Sequence, residues 1–483
     1  MPKPDRLRAW VIAALALVLA GCAGTTEYPN QSLASGASNP VPPDLPSTLG
    51  GTRPMILMAF SGGGSRAAAL ALAVVEELKK YDYSAAGQRR RLADDVDVVS
   101  SVSGGSVTAA YFGLYGLDAP QRLDDFLNRD NMATLELDAA NPITWAKLTF
   151  GSYTRVDALR DLLDRQLFDK KTFGDIAARG HPVVLLNASD MGSGEVFTFT
   201  PARFNDICSN LGALPISVGV SASAAFPVLL SPVDLKDYAG PDCAGDVPMP
   251  GWITVDLRSK VTPFLNIEEF KEARYANSLR RGKDAFRDVQ YVHLLDGGLE
   301  DNVGVHSLLS AMVSPHDKIG LLNAINNHQI SKLVVIAVNA RSDPGNSVST
   351  DAHTPGIIPM IQAVTSNPID AATSGAVAEL RALIDEIKRA AEAASKAPKP
   401  AGFAGMKVYE IEIDFDQLLP AQHDLQSRVK AIPTLWKVTP AERRDLDEAG
   451  RILLDQHPCF QKLLLDLNAM PAPADPDVAS ICN

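Results

Sequence analysis

Val98-Val99-Ser100-Ser101-Val102-Ser103-Gly104-Gly105 is the stretch on which the reading of this chain turns. Asp97 to Val102 reads as a strand buried on both faces, because small and apolar side chains follow one another without the alternation of a half-exposed strand. Ser103 ends it, and the small residues from Gly104 to Tyr115 continue as a helix. A strand that passes through a tight serine-bearing turn into a helix is a nucleophile elbow. The strand and helix nearly collide there, so the residues beside the serine must be small. The turn lifts the hydroxyl toward a helix N-terminus, where developing negative charge is favoured. The usual pattern is Gly-x-Ser-x-Gly. Here Ser101 stands at the first glycine, and Gly104 and Gly105 follow the nucleophile position.

Upstream, Met55 to Phe60 is a second continuous apolar run and leads into Ser61-Gly62-Gly63-Gly64-Ser65-Arg66 and an Ala-rich helix to Lys80. Three glycines free the main-chain N–H groups from Cβ obstruction, and such donors suit an oxyanion. A phosphate loop would need Gly-Lys-Ser/Thr after the glycines, which is absent. A dinucleotide loop would need a third glycine where Ala67 stands, and on this loop alone that reading stays open. Pro182–Ala188 and Lys332–Ala340 look like further core strands, and strands alternating with helices imply a mainly parallel α/β sheet. Downstream, Leu294-Leu295-Asp296-Gly297-Gly298 ends an apolar run in an acid at a glycine turn. By itself that is an ordinary turn signal. Asn302 reads as the cap of the helix that follows. Gly219-Val220-Ser221-Ala222-Ser223 is a second small serine-bearing stretch. It lacks the closing glycine and a leading strand, so it is rejected as an elbow.

Taken in order, glycine loop, serine elbow and Asp-Gly-Gly resemble the patatin-like phospholipase family. The resemblance implies a three-layer α/β/α fold and hydrolysis of lipid acyl esters in the manner of a phospholipase A or lysophospholipase. Ser103 would be the nucleophile and Asp296 its base, without histidine. Gly62, Gly63 and Gly64 would form the oxyanion hole with Arg66 supporting the loop, and Ser101, Gly104 and Gly105 would complete the elbow. Ala222-Ser-Ala-Ala-Phe-Pro227 resembles the family's block that shapes the acyl pocket. The likeness runs from about Pro54 to Val305 and returns faintly at Ile432-Pro-Thr434 and Ala449-Gly450. The family's loop often opens with Asp where this chain has Ser61. No cofactor and no metal are implied, since no carboxylate or histidine cluster has ligand spacing. Two rival readings remain: a Ser–His–Asp esterase using His306 or His328, and a non-catalytic lipoprotein that binds lipid or protein. Only one helix and one strand separate the glycine loop from Ser103, which is short for the esterase.

The 483 residues carry a net charge of −12, with 46% hydrophobic and 21% charged residues. That charge gives no footprint for nucleic acid and no attraction to anionic lipid. The N-terminus offers another route to a membrane. Lys3, Arg6 and Arg8 precede the apolar run Trp10–Ala20, and Leu19-Ala20-Gly21-Cys22 closes it, the order of a secretory signal. The ending resembles the bacterial lipobox, which implies cleavage before Cys22 and lipidation of its thiol. Ala23 after it implies delivery to the outer membrane, facing the periplasm. The expected organisation is a signal peptide over 1–21, a lipidated Cys22 and flexible tether over 22–51, a catalytic core over 52–345 and a C-terminal extension of helices and strand packed on it over 346–483. As a free coil the tether would span roughly 30 Å. Cys208, Cys243, Cys459 and Cys482 form an even set for an exported chain, and the near pairs 208–243 and 459–482 are the simplest of three connectivities. Gly375–Lys396 reads as a surface-packed helix, with Val377, Leu380, Ile384, Ile387 and Ala391 on one stripe. Pro142 to Phe150, with Trp145 and Leu148, reads as core packing or as a lid or interfacial contact.

Overall fold

Four apolar runs, each buried on both faces, make the middle of the molecule. The computed structural model describes residues 28–34, 37–40, 51–142, 144, 145, 147, 153–227, 229–239, 264–280, 289–308, 330–342, 357–396, 404–471 and 482. Its strands are β1 (Met55–Phe60), β2 (Asp82–Ala85), β3 (Gln88–Arg91), β4 (Val96–Val102), β5 (Val183–Asp190), β6 (Glu195–Thr198), β7 (Val233–Lys236), β8 (Tyr291–Asp296), β9 (Lys332–Asn339) and β10 (Lys407–Asp414). The main sheet runs β10-β9-β1-β4-β5-β8-β7, with β6 attached to β5. The five strands β10 to β5 are parallel, and β8 turns antiparallel against β5. Parallel neighbours need crossovers that cover the sheet with helices, which is why these strands read as unbroken apolar runs.

Alternate side chains of β1 serve two cores. Ile56, Met58 and Phe60 face one cluster and Met55, Leu57 and Ala59 the other. On the first face lie α1 (Gly64–Leu78), α2 (Gly104–Tyr115) and α3 (Ile216–Ser223). The short α4 (Gly298–Asp301) follows β8. The second face is covered by α5 (Ile357–Ser395), whose Leu380, Leu383, Ile384, Ile387 and Ala391 join Leu333 and Val335 of β9. Helices on both faces of a mainly parallel sheet make the three-layer α/β/α arrangement. α6 (Pro440–Asp455) packs on α1, where a Cβ on Gly450 would fall 2.8 Å from Ala73 Cβ.

Three expectations change. The surface helix starts at Ile357 rather than Gly375 and passes through Pro368, whose breaker signal is overridden in a helix with a long buried stripe. The tether is not free over its described part. Asn30 Nδ2 donates to Lys236 O (2.8 Å) and Ser209 Oγ (3.0 Å), and Asn39 Nδ2 donates to Ser209 O (2.8 Å). Both asparagines are buried, so these polar contacts fasten residues 28–34 and 37–40 to the body. The C-terminal region is not merely packed on the core, because β10 completes the main sheet beside β9. Cys459 and Cys482 form the expected disulfide. Cys208 is also disulfide-bonded, while Cys243, Cys22 and the signal segment lie outside the described residues. Among the described residues no helix is long and apolar enough to cross a membrane.

Candidate active site

β1 and β4 are neighbours, so the loops leaving their C-terminal ends meet. Phe60 leads into the glycine loop and Val102 into Ser103. Ser103 has φ 50° and ψ −121°, a backbone region that a serine enters only when its surroundings hold it there. The restraint is steric. A Cβ on Gly104 would overlap Gly64 O, and one on Gly105 would lie 2.7 Å from Phe60 O and Ser61 O. The two loops thus touch backbone to backbone, which only glycine permits. Ser101, buried in the strand, donates to Leu185 O at 3.3 Å and fills the first elbow position without strain.

Asp296 reaches the same place from β8. β5 lies between the two strands, pairing Val102 with Asn187 on one side and Asp296 with Ala188 on the other. Ser103 Oγ donates to Asp296 Oδ2 at 2.8 Å, and Gly298 N–H donates to Oδ1 at 2.8 Å. Both side chains are buried. Burial pushes the Asp296 carboxyl up to about 6, and the Gly298 and Ser103 hydrogen bonds moderate the rise. Among the described residues, the partners of Ser103 and Asp296 include no histidine. His306 lies 3.4 Å from Glu379 instead, and His328 falls outside the described residues.

The glycine loop divides its donors. Gly62 N–H donates to Asn302 O at 2.8 Å and is committed, unlike the expectation that placed it in an oxyanion hole. Gly63 (φ 138°) and Gly64 (φ 59°) have N–H groups with no acceptor among the described residues. Ser61, where the family often has Asp, accepts from Ala340 N–H at 2.8 Å and holds the loop's start to the end of β9. Arg66 is buried and spans the loop's far side. Its Nε donates to Ala340 O (2.8 Å), Nη1 to Ile432 O and Nη2 to Thr434 Oγ1 (3.0 Å). Ser65 N–H donates to Leu435 O at 2.9 Å. The Ile432–Leu435 segment is therefore part of the site's wall.

Asn302 is not the cap it was expected to be. It ends α4, and Asp301 does the capping, accepting from Gly304 N–H (3.0 Å) and His306 N–H (2.6 Å). A carboxylate offers two acceptor oxygens to several donors at once, where a carboxamide offers one. The Asn302 carboxamide instead occupies the space beside Gly62 and Gly298 that side chains there would need. The rejected Gly219–Ser223 stretch is helical in α3 and is no elbow. It nevertheless belongs to the site. Ser103 N–H donates to Ser223 Oγ at 2.8 Å, and Asp296 N–H donates to Ala225 O at 3.0 Å. Sequence reasoning misses both contacts, although Ser223 and Ala225 fall inside the Ala222–Pro227 block. Trp145 is half-exposed, while Leu148 and Phe150 of the same stretch lie outside the described residues.

The Patatin-like phospholipase family model matches residues 58–309. The chain belongs to the patatin-like phospholipase family. The match takes in the glycine loop, Ser103 and Asp296, and stops short of Arg66's partners at 432–434. No curated protein matches the chain. Among solved structures it is similar to human GIVD cytosolic phospholipase A2, at 10% identity and a TM-score of 0.40, over 86% of this chain and 60% of that one. It is also similar to the same human enzyme in complex with methyl gamma-linolenyl fluorophosphonate, at 11% identity and 0.40, over 86% and 59%. The chain thus spans about three fifths of these proteins.

Proposed function

We propose that this patatin-like phospholipase cleaves lipid acyl esters, as a phospholipase A or lysophospholipase would, with Ser103 and Asp296 as a catalytic dyad. The observation that carries the reading is the 2.8 Å hydrogen bond from Ser103 Oγ to a buried carboxylate, made from a strained elbow. Asp296 takes the hydroxyl proton as Oγ bonds to the ester carbonyl carbon. The carbonyl oxygen becomes an oxyanion, and the free N–H groups of Gly63 and Gly64 are its proposed donors. Collapse breaks the ester C–O bond, and Asp296 returns the proton to the leaving alkoxide. Water then adds to the acyl-enzyme, giving its proton to Asp296, and the acid leaves as Ser103 regains its hydrogen.

A carboxyl near 6 is a stronger base than an ordinary aspartate and is still ionised at neutral pH. Since the base must be deprotonated, kcat/KM is expected to rise with pH through about 6 and level off above it. A pH–rate profile on a short-chain ester checks this, and a limb near 4 would contradict the buried base. The proposed setting is an exported protein held to the outer membrane by lipid on Cys22, facing the periplasm. Two or more acyl chains make a stable anchor, at roughly 0.8 kcal/mol per buried CH₂.

The direct test is intact-mass analysis after fluorophosphonate treatment of a soluble form lacking Cys22, with peptide mapping. One adduct, on Ser103, is expected. A folded protein without an adduct would favour the non-catalytic lipoprotein.

A further inference from the structure

We propose that Ser223 is a positioning residue that sets the nucleophile and its base against each other; the inference rests on the dyad reading above. Ser223 ends α3, is fully buried and touches both halves of the dyad's backbone. Its Oγ accepts the Ser103 N–H at 2.8 Å. Its carbonyl accepts the Gly297 N–H at 3.1 Å, directly after Asp296. Two residues on, Ala225 O takes the Asp296 N–H at 3.0 Å.

The direction of each bond follows from the hydroxyl's single proton. Ser223 Oγ donates to Asn187 O at 2.6 Å, so its lone pairs are left for Ser103 N–H; Ser106 Oγ, which donates to Ser101 Oγ at 3.1 Å, lies 2.9 Å away. The Ser103 N–H has no place in the β4 ladder, which ends at Val102, and none in the first turn of α2. A buried N–H without an acceptor is strongly disfavoured, so the hydroxyl makes the strained Ser103 conformation tenable. Asn187 is the β5 residue paired with Val102, and its neighbour Ala188 is paired with Asp296. Ser223 therefore closes a rigid frame from nucleophile to sheet to base. Without it Ser103 is free to relax toward an ordinary helical or extended backbone and to carry Oγ away from Oδ2.

Ser223→Ala should lower kcat on a short acyl ester by about 10²-fold with KM within about twofold, the loss typical of an ångström-scale misplacement. The fluorophosphonate labelling rate should fall in parallel. Ser106→Ala is the control, because the Ser106 hydroxyl touches the same oxygen while its one bond to Ser103 runs from the main-chain N–H to Ser103 O (3.0 Å), which alanine keeps. It should lower Tm comparably and leave kcat within about threefold, below the loss expected from misplacement. If Ser223→Ala does not fold, Ser223→Cys, with a weak acceptor of similar volume, is measured the same way. Labelled wild type with Ser223 variants at wild-type kcat would overturn the proposal, as would equal losses in the Ser223 and Ser106 variants in step with Tm. A folded wild type that is not labelled would overturn the dyad, and this proposal with it.

Discussion

Asp296→Asn is expected to cut kcat on short acyl esters by about 10³-fold or more while leaving the protein folded. General-base catalysis contributes about 10²–10⁴-fold, and no other described group bonds to Ser103 Oγ to take the proton. The amide has the carboxylate's shape and its oxygen can still accept from Gly298 N–H, so the turn should survive. Stability should move the other way. The folded-state carboxyl is raised from 3.8 to about 6, so stability linked to its proton is complete below 3.8 and lost as pH climbs through about 6. Above that pH an ionised, buried Asp296 costs on the order of 2–3 kcal/mol, which the neutral amide escapes. The variant should melt at or above the wild-type temperature at pH 8, and at or below it at pH 4. A variant with wild-type kcat would sink the dyad, and one that melts lower at pH 8 would contradict the buried charge. Melting curves at two pH values and one kinetic series separate the two claims.

Gly104→Ala should abolish fluorophosphonate labelling altogether. The added methyl would overlap Gly64 O and come within 2.8 Å of Gly64 Cα. Those are main-chain atoms of the glycine loop, which is itself fastened through Ser65 to Leu435 and through Arg66 to Ala340 and Thr434. The loop cannot yield without dragging those contacts with it, so the elbow must open instead. Overpacking of this kind costs about 1–3 kcal/mol, occasionally more. A Tm lower by several degrees is expected together with a silent serine. Gly87 is the contrast: a Cβ there meets nothing within 4 Å, although its φ of +77° adds backbone strain. Gly87→Ala should label normally. Labelling of Gly104→Ala at the wild-type rate would mean that the two loops are not in fixed contact.

The parts of this site that could be read in advance are those written into adjacent residues. A buried strand, a small-residue turn and a helix N-terminus leave their marks within a few positions of Ser103. The glycine loop does the same after β1. Asp296 was legible through resemblance and chain order, since Asp-Gly alone marks only a turn. What escaped depends on partners far along the chain. Arg66 is held by residues 432 and 434, and Ser223 meets a nucleophile 120 positions earlier. No periodicity reports such pairings. Asn30 and Asn39 sit in a stretch whose composition is that of a linker, and two buried amides are enough to dock it. β10 is a different miss. Its buried Tyr409, Ile411 and Ile413 alternate with the half-exposed Val408, Glu410 and Glu412, an edge-strand pattern that places a strand but not its neighbour in the sheet.

Arg66 also bears on when the site is assembled. A ribosome delivers the chain N-terminus first, so the glycine loop and the elbow serine emerge long before residues 432–435. Until those residues arrive, the guanidinium lacks two of its carbonyl and hydroxyl acceptors and Ser65 lacks the Leu435 carbonyl. A truncated or half-made chain thus holds nucleophile and base but not the clasp that shapes the loop between them. In this fold the glycine loop takes its final shape only when the 432–435 segment has docked on it.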